Sequence, residues 1–156
     1  MDQDRRDFVT IGLAATAGVV ASAGSANAQA KPDAPKYIRH DPPRRYARAV
    51  VVGNMIYLSG EDSKDMKTER FQGTNATEQT EITFQNMKAT LESLGSSLEH
   101  VFKIVVYLKD PRDRAKYGPV AGKYFPHAPA ATLIMGVQLA EPEMLVEIDA
   151  IAVIPT

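Results

Sequence analysis

Any chemistry in this chain must come from oxygen and nitrogen side chains, because its 156 residues include no cysteine. A thiolate nucleophile and a disulfide framework are both excluded. His40, His100 and His127 are scattered and lack cysteine partners, so no metal site is expected. The acids are more suggestive. Glu147 and Asp149 alternate with apolar residues in Val146-Glu147-Ile148-Asp149-Ala150, which places both on one side of a strand. A strand-face glutamate is ordinarily solvated or paired. Turned into a partly dry interface, its carboxyl would titrate high enough to exchange protons near neutrality. Tyr46 follows a proline-rich stretch, and Ser59-Gly60 combines a hydroxyl with a residue that permits a tight backbone course.

The elements that must position these groups read as one α+β domain, a mixed sheet with two helices on one face. Ala49-Val50-Val51-Val52, Gly53-Asn54 and Met55-Ile56-Tyr57-Leu58-Ser59 predict two strands joined by a tight turn. Glu61 to Thr74 is polar and reads as a surface loop. A helix follows, capped by Asn75 or Thr77, with Phe84, Met87, Leu91 and Leu94 at helical spacing and Gly95 at its end. The match of Asn75-Ala76-Thr77 to a glycosylation sequon reads as this cap. Val101 to Leu108 predicts a strand. Asp113 to Phe125 predicts a helix with a late start or a kink, because Pro119 lacks a backbone donor. Strands at about Ala131 to Val137 and Leu145 to Val153 close the domain.

Phe102, Ile104, Val106 and Leu108, with Val146, Ile148, Ala150 and Ala152, form the face expected under the helices. The opposite face carries Met55, Tyr57, Val105, Tyr107, Leu145 and Ile151 and is half apolar. Two helices cover only one face of such a sheet, so the second is expected to be buried against other subunits, together with Glu147 and Asp149.

The first residues predict a targeting segment. Arg5-Arg6 precedes an apolar run from Phe8 to Ala23, and Ala26-Asn27-Ala28 or Ala28-Gln29-Ala30 offers a cleavage site. The arginine pair resembles a Tat signal, so residues 1–28 are expected to direct export to the periplasm and be removed. The run is too short and weakly apolar for a spanning helix, so no stable membrane anchoring is expected after cleavage. Residues 29–45 read as an extended lead-in and residues 46–156 as the domain. Of 18 basic and 19 acidic residues, cleavage removes two and three, leaving 16 of each. That balance argues against a nucleic-acid partner held by phosphate neutralisation.

Three stretches together carry a resemblance. They are Tyr46-Ala47-Arg48-Ala49-Val50 with Gly53-Asn54-Met55-Ile56-Tyr57-Leu58-Ser59-Gly60; the helix from Gln79 to Gly95 leading through Val101 to Asp110; and Tyr124-Phe125-Pro126, Pro129-Ala130-Ala131-Thr132 and Val146-Glu147-Ile148-Asp149-Ala150-Ile151-Ala152. In this order they resemble the RidA/YjgF family over nearly the whole chain beyond the signal. The resemblance implies a chorismate-mutase-like fold, a homotrimer with sites in the clefts between subunits, and no cofactor. It implies hydrolysis of reactive enamines and imines, small-molecule substrates, to keto acids and ammonia. Carried over, Glu147 matches the acid that positions the attacking water, Tyr46 the tyrosine at the cleft mouth, and Ser59 and Gly60 the pair touching the substrate.

At two matched positions the chain departs from the family. The arginine that grips a substrate carboxylate is replaced by Ala131 and a common asparagine of the second helix by Gly118; the resemblance places both positions, with Thr132, among the substrate-binding residues. The resemblance therefore implies a substrate other than 2-iminopropanoate, such as a larger enamine acid of the aminomuconate type. Arg45 and Arg48 flank Tyr46 and stand as substitutes for the lost arginine or as solvated charges. His127 stands as a cleft residue or an ordinary loop histidine. The alternative to catalysis is a protein that binds a small metabolite in the same cleft without turnover; a ribonuclease role fits the charge balance least.

Overall fold

The structure, a computed structural model, describes residues 33–156; the expected twin-arginine signal and the cleavage site expected after it lie outside them. Six strands form one sheet: β1 (Lys36–Arg39), β2 (Ala47–Val52), β3 (Met55–Glu61), β4 (Val101–Leu108), β5 (Ala130–Met135) and β6 (Val146–Val153), in the order β1-β2-β3-β6-β4-β5. All neighbours are antiparallel except β4 and β5. That parallel pair needs a crossover, supplied by α2 (Arg114–Tyr124), and α1 (Ala76–Ser93) carries the chain from β3 to β4.

Local chemistry explains the boundaries. Gly53 takes positive φ in the two-residue turn between β2 and β3, where Val52 pairs with Met55. The Asn75 side chain accepts from the Glu78 amide, and the Glu78 carboxylate reaches back to accept from the amide of Thr74, one residue before the cap, a variant of the capping box at α1. At the other end the Ser96 amide donates to Leu91 and the Gly95 amide to Glu92, a Schellman motif that requires the positive φ of Gly95.

Phe84, Met87 and Leu91 of α1, with Tyr117 and Val120 of α2, pack on Ile56, Leu58, Ile104, Val106, Ile148 and Ala150. The helices thus cover one sheet face, as the residue pattern predicted. Three readings require correction. The lead-in contains a strand, β1, whose Tyr37 and Ile38 pair with Val50 and Ala49. Phe102 is 45% exposed instead of lying under the helices, because the β4–β6 register shifts between Val101 and Lys103 and turns Val101 into the core in its place. The helix at Pro119 starts at Arg114 and runs through the proline, so the start is not delayed. Among the described residues no helix is long and apolar enough to cross a membrane.

Candidate active site

The uncovered sheet face holds an irregularity where β3 meets β6. Leu58 pairs with Ala150, but the next aligned pair is Glu61 with Ile148, leaving Ser59 and Gly60 in a bulge. The Glu147 side chain rests on that bulge. A Cβ built at Gly60 would lie 2.1 Å from Glu147 Oε1, so no larger residue fits there without moving the carboxylate. Gly60 does not take a positive φ, so close approach, not a tight backbone course, is why glycine stands there.

Glu147 is half-buried and has no ion-pair or hydrogen-bond partner among the described residues. Its pKa is raised, first by burial and then by the charges of Asp149 and Asp62. Asp149 is raised by burial as well, while a hydrogen bond from the Tyr107 hydroxyl at 3.1 Å pulls the other way. In sheet register, Tyr107 pairs with Glu147 and Val105 with Asp149, so these four side chains share the open face.

Tyr46 is 52% exposed and positioned by its neighbours. Arg44 donates to its hydroxyl at 2.9 Å and also pairs with Glu69 at 2.7 Å, while the His40 ring meets the Tyr46 ring edge-on at 5.1 Å. Ser59 donates its hydroxyl proton to the Ala47 carbonyl at 2.7 Å. Tyr46 and Ser59 line one groove of about 480 Å³. Behind the bulge, His40, Arg44, Arg48, Gly60 and Glu61 surround a polar cavity of only about 20 Å³, room for a water molecule and not for a metabolite. His40 is held below its usual pKa, first by burial and then by Arg44 and Arg48.

Arg48 is neither a cleft residue nor a solvated charge. It lies on the helix-covered side, donating to Glu61 at 2.9 Å and Thr90 at 2.8 Å, and the Thr90 hydroxyl lies 3.0 Å from the other Glu61 oxygen. Alternation along β2 would set Arg48 on the face opposite the buried Ala49; the β1–β2 register shift between Ile38 and Arg39 interrupts that alternation, and the sequence held no signal for it. Arg44 was also missed; its two-residue spacing from Tyr46 was visible, but its link to Glu69 crosses the polar loop.

The remaining candidates stand apart from Glu147 within one chain. Gly118 is exposed on α2 with open space where a Cβ would be. Ala131 is exposed on the edge strand β5, in register with Ile104 and Ala150, the row that faces the helices. Thr132 lies in the opposite row with Val105 and Asp149, and its hydroxyl accepts from Lys103 at 2.7 Å. β5 and β3 are three strand spacings apart, about 14 Å. A small molecule touching Gly60 therefore does not reach Ala131 or Thr132 of the same chain. His127 and Arg45 are exposed.

A mixed sheet with two helices on one face, and a carboxylate seated on a glycine bulge of the other, defines an α+β protein of the chorismate-mutase-like fold. The family model described as Endoribonuclease L-PSP matches residues 38–154, from within β1 to just beyond β6. The chain belongs to this family, which includes the RidA, YjgF and RutC proteins. A RutC family protein of Saccharolobus solfataricus is 38% identical over 107 residues, covering 69% of this chain and 85% of the relative. The solved structure of a YjgF family member from Neisseria meningitidis superposes with a TM-score of 0.69 at 30% identity, covering 79% of this chain and 97% of that one. A 2-iminobutanoate/2-iminopropanoate deaminase of Dermatophagoides farinae is 29% identical over 109 residues, covering 70% of this chain and 85% of the relative.

Proposed function

We propose that this protein hydrolyses an enamine or imine acid to a keto compound and ammonia at a site centred on Glu147 and Gly60. The observation that carries this reading is the half-buried, unpaired Glu147 carboxylate, raised in pKa and pressed against Gly60. An imine carbon is already electrophilic, so the main requirement is a base that holds and deprotonates water. Glu147 takes a proton from water as the oxygen adds to the C=N carbon and passes that proton to the nitrogen. The resulting carbinolamine then collapses, forming C=O as the C–N bond breaks and ammonia leaves. In this step Glu147 takes the hydroxyl proton of the carbinolamine and delivers it to the departing nitrogen. A relative bearing the name of an imine deaminase supports this chemistry.

In this reading two further copies cover the open face. The 14 Å gap between the Gly60 bulge and the Ala131–Thr132 edge supports a site completed across a subunit boundary. So do the exposed Tyr57, at 44%, and the half-buried Val105 and Ile151 on that face. Light scattering is expected to give about three times the mass of the processed chain. The protein acts in the periplasm in this reading, and changing Arg5 and Arg6 to lysine is expected to retain it inside the cell; unchanged export would remove the Tat reading.

Incubation with freshly generated imino acids is expected to release ammonia, and Glu147→Gln to lower turnover roughly 10²–10⁴-fold with assembly intact. Undiminished turnover in that variant places the chemistry elsewhere. One observation favours a second reading, binding without turnover: Gly118 and Ala131 present no hydrogen-bonding side chain where catalytic relatives are expected to have one. Release of no ammonia from any imino acid, with Ala131→Arg equally inert, would favour it.

A further inference from the structure

The groove that holds Tyr46 and Ser59 has a cationic wall. Its lining includes Arg39 of β1 and Arg45 of the β1–β2 connection, with Tyr37 beside them. Four arginines lie between residues 39 and 48, and they divide cleanly. Arg44 is committed to Glu69 and Tyr46, and Arg48 to Glu61 and Thr90. Arg39 and Arg45 have no carboxylate within ion-pair distance and no hydrogen-bonded side chain among the described residues, and both are exposed. Arg39 pairs with Ala47 just past a register shift in β1, and it is the Ala47 carbonyl that fixes the Ser59 hydroxyl. The groove therefore runs from two unpartnered guanidinium groups, past Tyr46, to Ser59, the residue next to the glycine on which Glu147 rests.

We propose that Arg39 and Arg45 are the carboxylate-binding end of this site and select enamine or imine acids whose carboxylate lies several bonds from the amine-bearing carbon. The substrate class rests on the deaminase reading; the anion site itself does not. Strand spacing sets the ruler. Ala47 on β2 and Glu147 on β6 are two spacings apart, about 10 Å. An α-imino acid carries its carboxylate one bond from the carbon that water attacks and does not span that distance. An extended chain of about six carbons, met by a flexible arginine side chain, does. Two planar forks are suited to paired hydrogen bonds with carboxylate oxygens, and the tyrosine rings beside them suit a flat conjugated chain. The same arrangement accounts for Ala131: a substrate anchored at its far end does not need a clamp next to the reacting carbon.

Hexa-2,4-dienedioate is a direct probe, since it carries the distal carboxylate and no C=N bond to hydrolyse. Calorimetric titration of the full-length processed protein is expected to show binding by the wild type and by Glu147→Gln. Affinity is expected to fall roughly ten- to a hundredfold in the Arg39→Gln/Arg45→Gln double variant, in line with loss of charge-assisted hydrogen bonds. Arg39→Lys/Arg45→Lys should retain part of the affinity. The corresponding diamide should bind the wild type at least tenfold more weakly than the diacid. Equal affinity of diacid and diamide for the wild type overturns the proposal without any variant, as does absence of dienedioate binding or full affinity in the glutamine double variant. Ammonia release separates the two claims. If it is absent while dienedioate is discriminated, only the deaminase reading fails; if it is present without discrimination, only the arginine assignment fails.

Discussion

Glu61 and Glu147 lie on opposite faces of the same sheet, near the same bulge, and burial is the largest influence raising the pKa of each. Their surroundings otherwise differ. Glu61 is 6% exposed, under the helices, with Arg48 and Thr90 satisfying both of its oxygens. Glu147 is half exposed, with only Asp149 and Asp62 as charged influences, both of its own sign. A carboxylate buried with a cation and a hydroxyl is held in one state as part of the architecture. A carboxylate left without either is free to exchange a proton and to bind something else. The comparison separates a structural acid from a working one more clearly than residue type or strand position does.

The largest effect that tests this contrast comes from breaking the buried pair. Arg48→Met leaves Glu61 as an uncompensated buried charge, and denaturant unfolding is expected to show a loss of roughly 3–5 kcal/mol. Adding Glu61→Leu should recover most of that loss, since replacing both charges by apolar residues is often neutral. A mild single variant would mean the pair is not a dry one. Gly60→Ala tests the other face. Its methyl would meet the far end of the flexible Glu147 side chain rather than backbone. The expected stability cost is therefore at the low end of overpacking, about 1 kcal/mol. Turnover should nonetheless fall about as far as in Glu147→Gln, because the carboxylate must move; unchanged turnover would show that its position is not critical.

The smallest effect lies in the pH dependence of stability. Glu147 and Asp149 both titrate above their unfolded values. The stability they contribute is full below the unfolded carboxylate range and is lost as pH rises through the raised folded values. Glu147→Gln and Asp149→Asn are therefore each expected to raise the melting temperature at neutral pH, by the equivalent of under about 1 kcal/mol given their partial exposure to solvent. The gain should vanish in acid, and a gain that persists there would point to packing instead of charge.

Much of the fold was legible because periodicity reports burial. Phe84, Met87 and Leu91, and Ile104, Val106 and Leu108, fall on the core side as their spacing implies. Phe102 fits the same alternation, but a register shift depends on the partner strand and leaves no mark in the strand's own pattern. β1 was obscured by the prolines around it, although Tyr37 and Ile38 are sound strand formers. At the site, Glu147 and its sharing of a face with Asp149 could be read from alternation alone. The division of the arginines could not. Whether Arg44, Arg45 or Arg48 is free depends on Glu61, Glu69 and Thr90, which lie 13 to 42 residues away in the chain.

The Ser59 hydroxyl has one proton, and the Ala47 carbonyl, which can only accept, already holds it. Toward the groove the oxygen therefore presents lone pairs alone. It repels a carboxylate or carbonyl oxygen and welcomes an N–H. A ligand lying along this groove thus has its direction set at both ends: oxygen anion toward the guanidinium groups, amine nitrogen toward the serine beside Glu147. Once water has replaced nitrogen, the keto product offers an acceptor where the serine requires a donor, and that mismatch favours its departure.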